Sequence, residues 1–286
     1  MSTEFAEEER MLIELVEKFV ENELMPLEKA VMEREAAGEP VALTPEEEAP
    51  LMAKCRELGL WALDAPEEVG GANLSTKVML AVGERQHGTI TPFIFPPDSP
   101  NLHMLMDVAT PEQRKKYMLP YAQGEMKSCI AISEPGAGGD PAQMKTLAVR
   151  DGDDWVINGR KIWVSMVPKA DFVILMAMTD PNKGARGGIT AFIVDKGAPG
   201  FNIEREIPML GGARTYELRI EDLRLAESQV LGEVGQGFAP MQKRLTVKRL
   251  QMGAMCVGMA SRALRMMCQH TQQRETFGQK LSDRQA

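Results

Sequence analysis

The chain has 286 residues, of which 33 are Lys or Arg and 41 are Asp or Glu, so its formal net charge is −8. With 44% hydrophobic residues it has the composition of a globular protein of about two domains. An acidic chain lacks the concentrated Lys and Arg that phosphate backbones require, which excludes a general nucleic-acid binder, and no run of about 18 apolar residues could span a bilayer.

The cysteines, the histidines and the first residues argue against a disulfide scaffold, a metal site and a secretory signal or transit peptide. The four cysteines are Cys55, Cys129, Cys256 and Cys268. They show no CxxC spacing, so we expect reduced thiols in a cytoplasmic protein and no disulfide scaffold. His87, His103 and His270 lie far apart and form no ligand pair, so we expect no metal site. The acidic opening, MSTEFAEEE, is unlike the basic start of a secretory signal or transit peptide.

Residues 1–125 are predicted to form an α-helical domain. Apolar residues recur with helical spacing over residues 12–20, so one stripe is expected to be buried. Thr-Pro-Glu-Glu at 44–47 combines a capping Thr, a Pro at the first helical position and a reciprocal Glu, which predicts a helix start. Thr-Pro-Glu-Gln at 110–113 repeats that signal. Residues 91–100 hold four prolines and are predicted to be a loop.

Residues 126–236 are predicted to form an antiparallel sheet domain. Asn-Gly at 158–159 stands between two β-rich runs, which predicts a hairpin. Further strands are predicted at 172–178 and 189–194, and the alternation over 216–220 predicts a strand with one wet face. No helical pattern interrupts these strands, which argues against a Rossmann unit.

Residues 237–286 are predicted to be an incomplete third domain. A helical pattern runs to about Arg274, longer than the usual helix of about 8–20 residues, and such a bundle helix needs other helices to cover its apolar face. Residues 241–286 hold nine Lys and Arg against two Asp and Glu, whereas the first fifty hold four against fifteen. The basic segment could face the acidic one, or it could face phosphates.

Three segments could carry chemistry. After a short strand from Cys129, the Ser133 hydroxyl reaches an edge, and glycines at 136, 138 and 139 would let the chain turn tightly beside a ligand. Trp163 and Ser165 fall on one side of a strand, where a Trp is either a core residue or the wall of a cofactor site. Arg274 stands near an aromatic residue at a helix end, which could simply be solvated. Each segment alone also fits a purely structural role.

The order of the motifs favours one interpretation. SEPGAGGD at 133–140, NGRKIWVS at 158–165, LGEVGQGF at 231–238 and RETFG at 274–278 follow a helical domain. Together they closely resemble the acyl-CoA dehydrogenase family, over essentially all of the chain. The resemblance implies an α+β multidomain fold with an α-helical amino-terminal domain, a central antiparallel β-barrel-like domain and the start of a carboxy-terminal four-helix bundle. It also implies a homo-oligomer, tetramer or dimer, that binds FAD and acyl-CoA.

The resemblance assigns FAD-binding roles to ten residues. They are Ile130, Ala131, Ile132, Ser133, Trp163, Val164, Ser165, Arg274, Phe277 and Gln285. The segment ending at Ser133 matches the one that hydrogen-bonds the flavin ring, Trp163 the tryptophan packed on the isoalloxazine, and Ser165 the hydroxyl near flavin N5. Arg274 matches an arginine that meets the FAD pyrophosphate of a neighbouring subunit, a role that suits the guanidinium fork.

Two further residues match substrate positions, and the resemblance implies the reaction. Gly139 stands where many members have a CoA-contacting serine, and Arg249 matches an arginine near the acyl-CoA. The family dehydrogenates acyl-CoA thioesters between Cα and Cβ: a carboxylate removes the α-proton and hydride passes to flavin N5. That base is expected beyond Ala286. Lys248 occupies the alternative position on the long helix and cannot serve, so no catalytic base is assigned.

Three interpretations remain open at this point. The first is an FAD-dependent acyl-CoA dehydrogenase of fatty acid metabolism, with electron-transferring flavoprotein as acceptor, whose 286-residue chain is truncated and inactive alone. The second is a natural short paralogue that binds FAD or acyl-CoA without catalysis, or an assembly partner. The third is a relative with the same fold that uses oxygen as its acceptor.

Overall fold

Helices occupy the amino-terminal part of the chain, as the periodicity predicts. The computed structural model describes residues 5–97, 99–210 and 213–284. The helices of this part are α1 (Glu7–Phe19), α2 (Glu28–Ala36), α3 (Pro45–Glu57), α4 (Thr76–Gln86), α5 (Ser99–Val108), α6 (Pro111–Gln113) and α7 (Leu119–Ala122). A π-helical turn, Arg114–Met118, joins α6 to α7, and another, Val20–Leu24, extends α1. The apolar stripe of α1 is buried in a core with residues of α3 and α4.

Both predicted helix starts are confirmed. The Thr44 hydroxyl accepts from the Glu47 amide at 3.3 Å, and the Glu47 carboxylate accepts from the Thr44 amide at 2.9 Å. Thr110 and Gln113 make the same reciprocal pair at 3.2 and 3.1 Å. The predicted proline-rich loop is right up to residue 97 but wrong for its end, because α5 begins at Ser99. Proline is tolerated in the first turn of a helix, where its missing amide has no intrahelical partner.

The central part is a mostly antiparallel sheet, as predicted. Its strands are β1 (Ser128–Ala131), β2 (Leu147–Asp151), β3 (Asp154–Val164), β4 (Phe172–Met178), β5 (Ile189–Asp195), β6 (Phe201–Pro208), β7 (Arg214–Ala226) and β8 (Val230–Leu231). The strand order is β6-β7-β3-β2-β4-β5-β8, with β1 paired parallel to β4. The end strands β6 and β8 are not paired with each other within the described ranges, so the sheet there is open rather than a closed barrel.

Strands β4 and β5 are buried on both faces. Phe172, Ile174 and Met176 pack with residues of α5 and α7, whereas Val173 and Leu175 pack on the other face against β3 and β7. This double burial explains why these two strands are continuous apolar runs instead of alternating ones. The sheet therefore joins two cores, one shared with the helices and one of its own.

The predicted hairpin at Asn158-Gly159 is wrong. Strand β3 passes straight through these residues, and the turn to β2 lies earlier, around Gly152, which has a left-handed φ of 65°. A Cβ at Gly159 would lie only 2.6 Å from the Cα of Thr146, so close packing requires glycine there. The pairing of β3 with β7 also shifts register at this point. Asn-Gly thus marks a bulge in a long strand, which short-range turn statistics do not distinguish from a hairpin.

The predicted long helix is confirmed. A single turn, α8 (Ala185–Gly188), precedes β5, and helix α9 (Phe238–Gln273) follows the sheet with 36 residues. A hairpin of β9 (Glu275–Thr276) and β10 (Gln279–Lys280) comes after it. Helix α9 packs on α4 so tightly that a Cβ at Gly258 would overlap a backbone oxygen of α4. Elsewhere on its surface α9 exposes further apolar residues, among them Leu264 and Met267.

The basic carboxy-terminal segment meets the acidic amino-terminal one at a specific ion pair. Arg262 of α9 binds the Glu28 carboxylate through both terminal nitrogens, one of them at 2.6 Å from Oε2. Of the two alternatives for this basic segment, the pair supports contact with the acidic half at this position. Within the described residues no helix is long and apolar enough to cross a bilayer, and no cluster of His, Cys, Asp and Glu could hold a metal ion.

Candidate functional site

The backbone of β3 is distorted at Trp163. The register of β3 against β7 shifts between Lys161 and Val164, and Trp163 has a φ of 62°, in the left-handed region. A bulky residue in that region is a true outlier, with a cost of about 1–3 kcal/mol. Trp163 as a whole is nevertheless 54% exposed, so burial of the side chain does not offset the strain. Such a combination is typical of a ligand-binding surface.

The same bulge holds the segment that follows β1. The Ile162 amide donates to the Ser133 carbonyl at 2.9 Å, which fixes Ser133 beside the strand that carries Trp163. Ser165 lies two residues further on and is exposed, like Trp163. The structure therefore holds Ser133 beside the carboxyl end of β3, where Trp163 and Ser165 are exposed, and this end of the strand is called the Trp163 edge below.

A buried ion pair lies beneath this edge. Lys161 Nζ lies 2.8 Å from Glu134 Oε1 and donates to the Ile132 carbonyl at 3.1 Å. Glu134 also accepts from the amides of Lys145 and Thr146, at 2.7 and 2.9 Å. The Lys161 side chain is fully buried and that of Glu134 is 5% exposed. One carboxylate thus ties the end of β1, strand β3 and the start of β2 to each other.

The pKa shifts of this pair are consistent with two charged groups. Burial acts to raise the pKa of Glu134, but the Lys161 charge and the hydrogen bonds outweigh it and hold the pKa below its usual value. Burial lowers the pKa of Lys161 to about 8, partly offset by Glu134, so the ammonium remains protonated at neutral pH. Charged hydrogen bonds in a dry site are strong and keep their geometry.

The other residues for which the resemblance implies a flavin-binding role differ in their burial. Ala131 and Val164 are buried in the sheet core, so only their backbone groups could touch a ligand. Ile130 and Ile132 are partly buried and pack against the core that the sheet shares with the helices. The sequence motifs place Val164 next to the site, but its side chain packs in the core of the sheet.

The chain makes a tight turn after Ser133, as the motif predicts. The turn is closed by two hydrogen bonds between Glu134 and Ala137, at 2.9 and 3.1 Å. At Gly136, Gly138 and Gly139 a Cβ would meet no protein atom within 4 Å, and none has a left-handed φ. No protein atom therefore requires glycine at these positions, and the close approach of a ligand to this turn stays a prediction. Gly139 is exposed, and the space beside it is open.

Arg274 and Phe277 lie at the opposite end of α9 from the sheet. The helix begins against β5, where the Gly237 amide donates to the Ile189 carbonyl at 2.8 Å. A helix of 36 residues spans about 54 Å, so its far end lies well away from the Trp163 edge of the same chain. Phe277 is 95% exposed on the β9–β10 turn. Gln285 lies outside the described residues.

Consecutive residues of α9 line two different concave surfaces. Arg249 lines an open groove between α1, α4 and α9, whose wall also carries Glu14 and Glu84. Lys248 lines a smaller cavity of about 140 Å³ between α4, α9 and the loop over residues 94–97, together with Asp64 and His87. The structure therefore does not bring Arg249 into the more enclosed cavity, where it places Lys248 instead.

Comparison with known families decides what this arrangement is. Residues 6–125 match the family model "Acyl-CoA dehydrogenase, N-terminal domain", residues 129–223 the middle domain, and residues 235–286 the C-terminal domain. The chain belongs to the acyl-CoA dehydrogenase family. The predicted family and fold class are thereby confirmed, with an open sheet over the described residues in place of a closed barrel.

Several proteins that are similar to this chain are named for reactions of CoA thioesters. It is 40% identical to the (R)-benzylsuccinyl-CoA dehydrogenase of Thauera aromatica, over all of the chain and 72% of that protein. It is 33% identical to the caffeyl-CoA reductase-Etf complex subunit CarC of Acetobacterium woodii, over 99% of the chain and 73% of that subunit. The solved glutaryl-CoA dehydrogenase–glutaryl-CoA complex is 26% identical with a TM-score of 0.85, covering 99% of this chain and 71% of that one.

Sequence reasoning assigned no role to Glu134 and Lys161, although both stand inside the quoted motifs. A signal was present: strand alternation puts Lys161 on the same face as Ile157, and Ile157 is a core residue. A lysine directed into a core requires a carboxylate partner. The identity of that partner could not be read from the sequence, since it lies 27 residues away along the chain.

Proposed function

We propose that this acyl-CoA dehydrogenase family protein binds FAD at the Trp163 edge and dehydrogenates an acyl-CoA thioester between Cα and Cβ. The observation that carries the proposal is Trp163, a strained, exposed indole beside two hydroxyl side chains. The domain division proposed for this activity is 1–125, 126–236 and 237–286. The Thauera aromatica dehydrogenase and the Acetobacterium woodii reductase complex subunit are both named for the oxidation or reduction of a CoA thioester, which agrees with this reaction class.

The residues at the edge suit an isoalloxazine. A flat, apolar indole can stack on a flat heterocycle, and serine hydroxyls can both donate to and accept from its ring nitrogens and carbonyls. The Glu134–Lys161 pair keeps Ser133 and the Trp163 backbone at a fixed separation, because it bonds the segments on both sides. When bound, FAD supplies the acceptor for the two electrons that leave the acyl group.

Other residues are proposed to act at a second copy of the chain. Arg274 and Phe277 are exposed and too far from Trp163 to meet the same FAD molecule, which agrees with a nucleotide site completed by a neighbouring subunit. A guanidinium can bind a pyrophosphate through two parallel hydrogen bonds. We propose a homodimer or homotetramer for this reason. Gly139 leaves open space where the CoA moiety could approach the backbone.

Electron-transferring flavoprotein is the proposed acceptor. The support is the relative CarC, which is named as a subunit of a complex with Etf. None of the described residues is assigned as the base that removes the α-proton. Lys248, at the position that the family resemblance offers on the long helix, is a cation and not a carboxylate.

Flavin content and anaerobic bleaching test this function. The product of the complete gene should purify yellow, and its flavin band should bleach when an acyl-CoA is added without oxygen. Trp163→Ala should change the flavin spectrum and lower FAD retention. Val149→Ala is the matched control, because Val149 is equally exposed, at 54%, on the neighbouring strand β2. A colourless product that takes up no added FAD would refute the proposal, as would unchanged spectra in the Trp163 variant.

A further inference from the structure

We propose that the buried Lys161 ammonium raises the electron affinity of bound FAD by polarising the peptide between Ile132 and Ser133, and that the Glu134 carboxylate limits this effect. The inference rests on the proposed function and adds a control of the reduction potential to the same site. The side chains of Lys161 and Glu134 are almost completely buried, so they act through that peptide. Both are therefore positioning residues and not catalytic ones.

One peptide connects the ion pair to Ser133. The carbonyl of this peptide belongs to Ile132 and accepts from Lys161 Nζ at 3.1 Å. The peptide has the usual trans geometry, in which the carbonyl and the amide point in opposite directions. The Ser133 amide therefore points away from the buried ammonium.

That amide is available to a ligand. Among the described residues none accepts a hydrogen bond from the Ser133 amide, whereas the Ser133 carbonyl is bonded to the Ile162 amide. Ser133 is partly exposed, so its amide can reach water or a bound molecule. Backbone amides in folded proteins nearly always have a partner, and an open one beside the Trp163 edge is a donor for a ligand there.

The charge on Lys161 makes this donor stronger. A cation that bonds a peptide carbonyl draws electron density toward the oxygen, and hydrogen bonds in such a chain strengthen one another. Burial lowers the pKa of Lys161 only to about 8, because Glu134 partly offsets it, so the ammonium is charged at neutral pH. The side chain is fully buried, and little water weakens its field.

Reduction of the cofactor adds a negative charge that such a donor stabilises. A hydride carries two electrons and one proton, so its addition to a neutral isoalloxazine leaves one negative charge on the ring. A fixed amide donor with a cation behind it favours this charged form over the neutral oxidised form. The protein should therefore bind reduced FAD more tightly than it would without Lys161, which means a higher reduction potential.

Glu134 acts in the opposite direction. Its Oε1 lies 2.8 Å from Lys161 Nζ, so its charge partly cancels that of the ammonium at a distance. Burial acts to raise the pKa of Glu134, but the Lys161 charge and the hydrogen bonds hold it below its usual value, and the group is ionised. Removal of either charge alone should therefore change the potential, with opposite signs.

Single neutralisations of the pair test the proposal by these signs. The reduction potential of FAD bound to the product of the complete gene is measured by spectroelectrochemical titration. Lys161→Met is measured at pH 8, which keeps Glu134 ionised, and Glu134→Gln at pH 6, which keeps Lys161 protonated. Each variant is compared with the wild-type protein at the same pH, so that other titrating groups cancel.

The expected change is about tenfold in each direction. One unit charge about 10 Å from the ring, at an effective dielectric constant of about 20, has an effect of this size. The preference for reduced over oxidised FAD should fall about tenfold in Lys161→Met and rise about tenfold in Glu134→Gln. For a two-electron couple, a tenfold change corresponds to about 30 mV.

The opposite signs distinguish a charge effect from a structural one. Loss of packing would weaken FAD binding in both variants and would shift both potentials in the same direction or not at all. The double variant, neutral at both positions, should return to within about threefold of the wild-type preference. Arg34→Met is the control, because it breaks a partly buried ion pair with Glu47 in the helical part of the chain. If Lys161→Met does not fold, Glu134→Gln and the double variant still decide.

A vibrational measurement tests the path through the peptide. The carbonyl stretching frequencies of bound oxidised FAD fall when a hydrogen-bond donor becomes stronger. At least one of them should rise in Lys161→Met and fall in Glu134→Gln, at the same pH values. Shifted potentials with unchanged frequencies would refute the path through the Ser133 amide.

The outcomes distinguish this inference from the proposed function. A product that binds no FAD refutes both. If FAD binds but no acyl-CoA reduces it, the proposed reaction fails, whereas the potentials still report on Lys161. If an acyl-CoA reduces the bound FAD but the two single variants shift its potential in the same direction, or neither shifts it, the role of Lys161 is refuted and the proposed function stands.

Discussion

The buried Glu134–Lys161 pair makes a prediction about both stability and flavin binding. Lys161→Met removes the ammonium and leaves a charged carboxylate in a site with almost no solvent exposure. Removal of one partner of a buried ion pair costs about 3–5 kcal/mol of unfolding free energy. The amides of Lys145 and Thr146 still bond Glu134, so we expect a loss of about 3 kcal/mol, near the lower limit of that range.

The double variant Glu134→Gln with Lys161→Met separates charge burial from simple loss of contacts. In Glu134→Gln the side-chain amide oxygen can accept from one of the two backbone amides, because these amides bond different oxygens of the carboxylate, and in the double variant neither charge remains. We therefore expect the double variant to be more stable than Lys161→Met alone, by about 1–2 kcal/mol. The assay is urea unfolding followed by far-UV circular dichroism. Lys169→Met is the control, because Lys169 is an exposed lysine shortly after β3.

The same variants test whether the pair positions the proposed flavin site. Because the pair fixes Ser133 against the Trp163 bulge, Lys161→Met should lower FAD retention and shift the flavin spectrum under conditions in which the protein is still folded. A loss of less than about 1 kcal/mol in Lys161→Met would refute the energetic argument. A normal flavin spectrum in a folded Lys161→Met protein would refute the positioning role.

Three further predictions concern α9 and its ends. Gly258→Ala should lower the free energy of unfolding in urea by about 1–3 kcal/mol, because its Cβ would meet a backbone oxygen of α4. Gly253→Ala is the control and should not destabilise the protein, because a Cβ there meets open space. Equal effects of the two variants would contradict the close packing of α9 on α4. Arg262→Met should lower the free energy of unfolding by about 2 kcal/mol, because Glu28 loses its ion-pair partner. Since the pKa of Glu28 is lowered in the folded protein, the difference in unfolding free energy between variant and wild type should shrink as pH falls below 4.5. A difference that does not change with pH would contradict the ion pair. Arg274→Ala should lower FAD retention without changing the unfolding midpoint of the apoprotein, and unchanged flavin content after gel filtration would contradict the pyrophosphate role.

Local signals in the sequence predicted those parts of the fold that local physics determines. The capping boxes at Thr44 and Thr110 form because a side chain and a backbone amide three residues apart satisfy each other, whatever surrounds them. Strand β4 was predicted with the bounds observed, since a run of seven buried residues has few other solutions. The long helix α9 followed from its periodicity in the same way.

Tertiary contacts determined what the sequence could not show. Asn158-Gly159 carries a strong hairpin signal, yet the close approach of Thr146 uses the glycine for packing, and β3 continues. The cavity beside Lys248 is built from α4, α9 and a loop that are far apart in sequence, so its existence depends on how α9 crosses α4. Motif order correctly indicated the family, but motifs alone did not separate the residues that face a ligand from those, such as Val164, that fill the core.

Trp163 shows how strain, burial and chemistry combine at the candidate site. Trp163 has a backbone φ in the left-handed region, and the residue is about half exposed. Both features lower the stability of the fold: the backbone strain costs about 1–3 kcal/mol, and apolar surface of the side chain is left in water. Folding alone would favour glycine at this position, which adopts the same φ without strain. The strained conformation persists because the Ile162–Ser133 hydrogen bond and the ion pair beneath it hold the backbone on both sides. The backbone at Trp163 is thus held in place by the protein, whereas its apolar indole remains exposed to water. Such a surface suits a flat ligand, and a bound isoalloxazine would remove the exposed indole face from water. Hence FAD binding should raise the unfolding midpoint of the wild-type protein and should raise it much less in Trp163→Gly, where the strain and the ring are both absent.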